Sequence, residues 1–231
     1  MNEVLRQERK FLIDFPRYYR YSGNLTKFML EDPHNRGDGY PIRSLYFDSL
    51  EDRDFQEKID GVEIRRKIRL RCYGPHSDFA LLEIKQKEGK QQKKRSLRLD
   101  RPAAQRLVSG DYGVLLDQRD PLAQECYAVM HIHGYRPRSV VEYRRRAFIT
   151  RENKIRVTFD HHIIGTESCF DIFDPTLTQY ALQDPSLVVL EVKYNGFLLS
   201  YIKDMLRDCT AGEVSVSKYC LSRMVSKHFL F

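Results

Sequence analysis

Tryptophan is absent from the 231 residues, and cysteine is scarce, with five residues at positions 72, 126, 169, 209 and 220. The number is odd and no CxxC pair occurs, which argues against a disulfide framework and a zinc ribbon. Reduced thiols in a cytoplasmic protein are the expectation. No run of about 18 apolar residues exists, so no membrane-spanning helix is expected. The opening stretch MNEVLRQERK is charged from its third residue and has no apolar h-region, so no secretory signal is expected either. Neither GxxxxGK followed by Ser or Thr nor GxGxxG is present, which leaves out the two common glycine-rich phosphate loops. There is no repeat of fixed period, no low-complexity stretch and no linker, so a single domain over 1–231 is expected.

Apolar residues make up 42% and aromatic ones 12%, which excludes a disordered chain. Lys and Arg total 39 against 32 for Asp and Glu, a net charge of +7. That excess points to an anionic partner, whether nucleic acid, anionic lipid or a phosphorylated small molecule.

Period-2 runs dominate and predict eight strands, at 6–14, 43–48, 63–73, 79–87, 93–99, 138–149, 154–161 and 187–194. Turn residues separate them, including Asp60-Gly61, Gly74-Pro75, Glu88-Gly89-Lys90 and Glu152-Asn153. The short connections favour antiparallel pairing. Helices are expected at 15–30, 102–108, 122–131, 197–207 and 216–227, the last with Ser215 or Ser217 as its N-cap. A loop is expected over 33–41.

The strands alternate cationic and apolar positions. In 63–73 the odd positions are Glu63, Arg65, Lys67, Arg69, Arg71 and Tyr73, opposite Ile64, Arg66, Ile68, Leu70 and Cys72. Glu8 and Lys10 oppose Phe11 and Ile13; Glu83, Lys85 and Lys87 oppose Leu82 and Ile84. Lys154, Arg156, Thr158 and Asp160 oppose Ile155, Val157 and Phe159; Glu191 and Lys193 oppose Leu190 and Val192. An ordinary solvated face mixes signs, and a dense cationic face repels itself unless an anion neutralises it. Eight antiparallel strands can close into a barrel. With the charged faces inward, the lumen is a basic tunnel and helices cover the apolar outside. The expected fold class is therefore α+β, an eight-stranded antiparallel β-barrel tunnel with helices packed on the outside. Such a lumen suits a polyphosphate gripped by Arg and Lys, with carboxylates holding a divalent cation.

The set ERKF (8–11), YFDS (46–49), IRLRCYG (68–74), EIKQK (83–87), KKRS (93–96), EYRRRAF (142–148), IRVTFD (155–160), LEVKY (190–194) and SKY (217–219) occurs in order. It resembles the VTC domain, the catalytic domain of the vacuolar transporter chaperone polyphosphate polymerase, of the triphosphate tunnel metalloenzyme superfamily. The resemblance implies transfer of the γ-phosphate of ATP onto a growing polyphosphate chain. By motif it implies that Lys10, Arg69, Arg71, Lys85, Lys93 and Arg95 bind phosphates, joined by Arg145, Arg156, Lys193 and Lys218. Arg69, Arg71, Arg145, Arg156 and Lys218 take the catalytic role. Glu191 is the implied ligand for Mn²⁺ or Mg²⁺, with Glu8 and Glu83 as further candidates.

One departure stands out. Hydrolases and cyclases of that superfamily carry ExExK on the first strand, whereas this chain has Arg6-Gln7-Glu8-Arg9-Lys10. With no SPX-like stretch, regulation by inositol phosphates is not expected within these residues. A separate membrane partner is compatible with the pattern, and no nucleic acid is expected as ligand. The rival readings are a metal-dependent triphosphatase of the same fold, acting on inorganic triphosphate or a nucleoside triphosphate, and a non-catalytic binder of polyphosphate or RNA. His131 with His133, and His161 with His162, lack a third ligand at useful spacing and read as surface or packing residues. In Arg144-Arg145-Arg146, strand alternation sends only Arg145 to the charged face.

Overall fold

A computed structural model describes residues 6–89, 91–150, 155–209, 212–215 and 217–228. Lys90, Glu152, Asn153, Lys154 and Val216, which the sequence assigned to turns, a strand and a helix, lie outside the described residues. All eight expected strands form: β1 (Arg6–Asp14), β3 (Tyr40–Asp48), β4 (Ile64–Cys72), β5 (Phe79–Glu88), β6 (Gln91–Asp100), β7 (Arg136–Ile149), β8 (Arg156–Thr166) and β10 (Leu187–Asn195). Two-residue strands β2 (Leu30–Glu31) and β9 (Tyr180–Ala181) add to them. The helices are α1 (Phe15–Phe28), α2 (Arg53–Ile59), α3 (Arg101–Val108), α4 (Pro121–Ile132), α5 (Ser200–Arg207) and α6 (Lys218–His228). The chain is α+β, and every register resolved between strands is antiparallel.

Residues group into two compact units. Unit one comprises 1–41, 143–163 and 183–216; unit two comprises 42–142, 164–182 and 217–231. In unit one the strand order is β1-β10-β8-β7; in unit two it is β7-β3-β4-β5-β6. The order is thus a path with ends at β1 and β6 among the described residues, not the closed ring expected from the sequence. A physical reason is visible at β1. Its outer edge is taken by an irregular segment, where Phe11 bridges Glu213 and Val214 N–H donates to the Lys10 carbonyl (2.9 Å).

The apolar strand positions behave as their period demands. In unit one Phe11, Ile13, Val157, Phe159, Val188, Leu190 and Val192 form a buried layer, covered by Tyr18, Tyr21 and Leu25 of α1 and Ile202, Met205 and Leu206 of α5. In unit two Leu45, Phe47, Ile68, Leu70, Leu82 and Ile84 are covered by Leu107 of α3 and Ala123, Cys126 and Met130 of α4.

Strands feed helices through one local device. Asp14 ends β1 and accepts from Arg17 N (2.8 Å); Asp100 ends β6 and accepts from Ala103 N (2.9 Å). Asp120 caps α4 through Leu122 N (2.7 Å). Each is followed within two residues by a proline, whose fixed φ suits the first turn. Ser217 caps α6, its Oγ accepting from Cys220 N (3.4 Å). At Gly39, φ is +111° and an added Cβ would lie 2.2 Å from the Arg145 carbonyl, so only glycine permits this close approach.

Helix α2 starts differently. The buried Asp48 carboxylate reaches forward to accept from Asp54 N (2.8 Å) and Phe55 N (2.9 Å), besides Ser49 N (2.7 Å). Asp54 is itself buried, with Oδ1 accepting from the Tyr135 hydroxyl (2.7 Å) and Oδ2 unpaired. Burial, and then repulsion from Asp48, push its pKa up to about 7 against the opposing Tyr135 hydrogen bond. A carboxyl whose pKa is higher folded than unfolded contributes stability at low pH that is lost as pH rises through the folded value. Asp54→Asn should therefore match the wild type near pH 4 and be the more stable protein at pH 8. The gain is bounded at about 4 kcal/mol by the size of the shift. Urea midpoints at the two pH values measure it, and equal midpoints at pH 8 would contradict the assignment.

Candidate functional site

In unit one, antiparallel pairing of β1 with β10 sets Lys10 opposite Glu191 and Glu8 opposite Lys193. Charges therefore alternate around a quadrilateral. Lys10 Nζ lies 2.6 Å from Glu8 and 3.6 Å from Glu191, and Lys193 Nζ lies 2.5 Å from Glu191 and 3.5 Å from Glu8. Burial by itself would lower the Lys10 pKa, but Glu191 and Glu8 outweigh it and hold the ammonium above its ordinary value. On β8, Arg156 and Thr158 oppose Lys193 and Glu191 and so share this face.

Two arginines of unit one are held by carboxylates of their own. Arg145 forks onto Asp160, Nε to Oδ1 at 2.6 Å and Nη2 to Oδ2 at 2.7 Å. Asp160 is fully buried. Burial opposes the charge on Arg145, yet Asp160 first, with Tyr143 and Glu191, keeps its pKa well above the usual arginine value. Arg156 donates to Asp32 (2.9 Å) and to the Tyr40 hydroxyl (3.2 Å).

In unit two the registers of β3, β4, β5 and β6 stack four cross-strand rows on one face. They are Arg65-Lys87-Gln92, Lys67-Lys85-Lys94, Tyr46-Arg69-Glu83-Ser96 and Ser44-Arg71-Leu81-Arg98. These rows hold eight cations and one carboxylate. Glu83 is buried and is shared by Arg69 (2.6 Å), Arg71 (3.4 Å) and Lys94. Burial alone would raise its pKa, but Arg69 and Lys94 outweigh that and hold it below the usual carboxylate range. Arg69 also donates to the Tyr46 hydroxyl (3.2 Å), and Lys67 donates to Ser217 Oγ (2.7 Å). Lys218 opens α6 beside that serine.

The structure places the expected residues in two groups. Glu8, Lys10, Arg156, Glu191 and Lys193 share a face in unit one; Arg69, Arg71, Glu83 and Lys85 share a face in unit two. Lys93 and Arg95 do not join them, which corrects the sequence expectation. Lys93 pairs with Gln86 and Arg95 with Ile84, on the opposite face. There Arg95 forks onto Glu125 of α4 (2.5 and 2.6 Å). Lys94 and Arg98 occupy the basic rows instead. The reason is strand phase: Leu97 and Leu99 pair with Leu82 and Ala80 on the apolar face, and Lys93 and Arg95 share their parity, a local signal the sequence reading did not use. The sequence reading also missed Asp32 and gave no partner role to Asp160, because both act across strands distant in the chain. Among the described residues, no three His, Cys, Asp or Glu side chains are grouped to hold a metal ion. Among the described residues, no helix is long and apolar enough to cross a membrane.

Removing one partner of a buried pair leaves an uncompensated charge. Asp160→Asn should therefore cost about 3–5 kcal/mol. Glu125→Gln, whose pair with Arg95 is about one-third exposed, should cost under about 1 kcal/mol. Denaturant unfolding at pH 7 measures both, and equal losses would contradict the burial argument.

A family model for the VTC domain matches residues 5–227. No curated protein matches the chain. Among solved structures, a candidate adenylate cyclase from Bacillus halodurans superposes with a TM-score of 0.55 at 11% identity, over 94% of this chain and 96% of that one. A candidate adenylate cyclase from Vibrio parahaemolyticus gives 0.47 at 10% identity, over 94% and 97%. At such identity the first likeness shows the fold alone. The family model spans nearly the whole chain, through both halves of the charged strand pattern, and this protein belongs to the VTC domain family.

Proposed function

We propose that this chain is an ATP-dependent polyphosphate polymerase, which transfers the γ-phosphate of ATP to the end of a polyphosphate chain. The observation that carries the reading is the face of β4, β5 and β6 with eight cations and one carboxylate. From Arg65 to Arg71 that face runs about 20 Å along β4, at ~3.4 Å per residue. A stripe of that length matches several linked phosphates better than a single one. Charge-assisted bonds from Arg69, Arg71, Lys67, Lys85 and Lys94 would hold the non-bridging oxygens. The planar forks of Arg69 and Arg71 would fix orientation as well as charge.

Phosphoryl transfer depends on alignment and charge neutralisation rather than on a protein nucleophile. A terminal phosphate oxygen of the acceptor would attack the γ-phosphorus. The new P–O bond forms as the bond from the γ-phosphorus to the β–γ bridging oxygen breaks, and ADP leaves with that oxygen. In unit one, Arg145 and Arg156, each steadied by a carboxylate, and Lys193 would neutralise phosphate oxygens; in unit two, Lys218 would add a further cation to the phosphate grip. Glu8 and Glu191 fit a divalent cation, since Mg²⁺ is commonly held by one or two carboxylates plus substrate phosphates. When bound, Mn²⁺ or Mg²⁺ would supply electrostatic neutralisation of the phosphate oxygens. Glu83, gripped by three cations, instead serves to space Arg69, Arg71 and Lys94.

Purified protein incubated with ATP and Mn²⁺ should yield a ladder of polyphosphate on a gel. Orthophosphate without a ladder would establish a triphosphatase, and anion binding without turnover would establish a binder. Glu191→Gln should abolish metal-dependent turnover, by more than about 100-fold, while retaining much of the tripolyphosphate binding. Lys94→Gln should weaken tripolyphosphate binding by about tenfold, a loss of roughly 1.4 kcal/mol. Lys93→Gln should leave it within about twofold. The opposite order for the two lysines would contradict the register argument.

A further inference from the structure

Tyr219 lies in the second residue of α6 and is almost wholly buried in unit two. Its hydroxyl donates to Asp48 Oδ2 (2.5 Å). Its ring stacks on Tyr46, with centroids 5.1 Å apart and planes 24° apart, and meets Phe55 edge-on at 6.4 Å. The Lys67 ammonium lies 5.6 Å from the centroid of the same ring. Tyr46 in turn accepts from Arg69 Nη1. Asp48 is rigid, because three backbone N–H groups at the start of α2 already hold its carboxylate. A line of contacts therefore leads from the end of β3 through Asp48, Tyr219 and Tyr46 to Arg69, with a branch to Lys67.

We propose that Tyr219 is a positioning residue: it braces Tyr46 and Lys67 so that Arg69 and Lys67 present their charges in fixed geometry on the basic face. The inference rests on the reading of that face as a phosphate grip. Tyr219 has no charge to offer a phosphate, so its effect is on the order of the cations. An Arg side chain loses substantial rotamer freedom on binding, and a braced one has lost part of it beforehand.

Tyr219 is not what seats the helix. Arg223, one turn on, pairs with Asp52 (2.5 Å) and Glu167 (2.7 Å), and Ser222 shares a hydrogen bond with Ser139 (2.8 Å). Asp48 keeps its three backbone donors when the Tyr219 hydroxyl is removed. Tyr219→Phe should therefore leave α6 in place while freeing the ring to shift.

The test is calorimetric titration of the full chain with inorganic tripolyphosphate, on the wild type, Tyr46→Phe, Tyr219→Phe and the double variant. Each single variant should bind three- to tenfold more weakly. The double variant should be weakened by less than the product of the two single effects, because they share Arg69 and only the Lys67 branch is separate. The slope of log affinity against log salt should stay at the wild-type value, since no phosphate contact is deleted. Arg69→Gln should flatten it. In turnover assays the loss should fall on KM for ATP more than on kcat. A wild type that binds no tripolyphosphate overturns the phosphate-grip reading and this inference with it. A wild type that binds, with Tyr219→Phe unchanged or with the two single effects multiplying, overturns the inference alone. Should Tyr219→Phe fail to fold, Tyr46→Phe binding as tightly as the wild type overturns it.

Discussion

Like charges on neighbouring strands repel, and the basic faces depend on how that repulsion is contained. Opposed residues on adjacent strands have Cβ atoms about 5 Å apart. A row such as Lys67-Lys85-Lys94 would drive its strands apart if nothing intervened. The next row places Glu83 between Arg69 and Ser96, where one buried carboxylate ties down two arginines and Lys94. The face stays strongly positive, and yet its centre is pinned.

Unit one solves the same problem by balance rather than by a single anchor. Two lysines and two glutamates alternate, so the quadrilateral has no net charge. Arg145 and Arg156 bring their own carboxylates, Asp160 and Asp32. The two units therefore differ in electrostatic character. In unit one carboxylates balance the lysines, and in unit two the four rows set eight cations against a single carboxylate. A net charge of +7 describes neither, because it averages over both.

Much of the fold was legible because the strand period is strict. Phe11, Ile13, Leu190 and Val192 alternate with charged residues, and burying the apolar set fixes which way the others point. The caps of α1, α3 and α4 are equally local, each an aspartate followed within two residues by a proline. Helix α2 was missed since its cap, Asp48, lies at the end of a strand several residues earlier, and Asp52 before it adopts a left-handed conformation. Closure of the strands into a ring was expected from their number, their charged faces and the family resemblance. The number does not say whether the edge of β1 meets another strand, and here Glu213 and Val214 take it.

The sequence by itself determined the eight strands, their charged and apolar faces and the family to which the pattern belongs. Those follow from local periodicity, which each strand carries within itself. Only the tertiary structure decided which cation meets which carboxylate. It brought Lys94 and Arg69 to Glu83, sent Arg95 to Glu125, and gave Arg145 to Asp160. Pairing across strands is a matter of register, and register is set by the packing of whole faces rather than by any residue's neighbours in the chain.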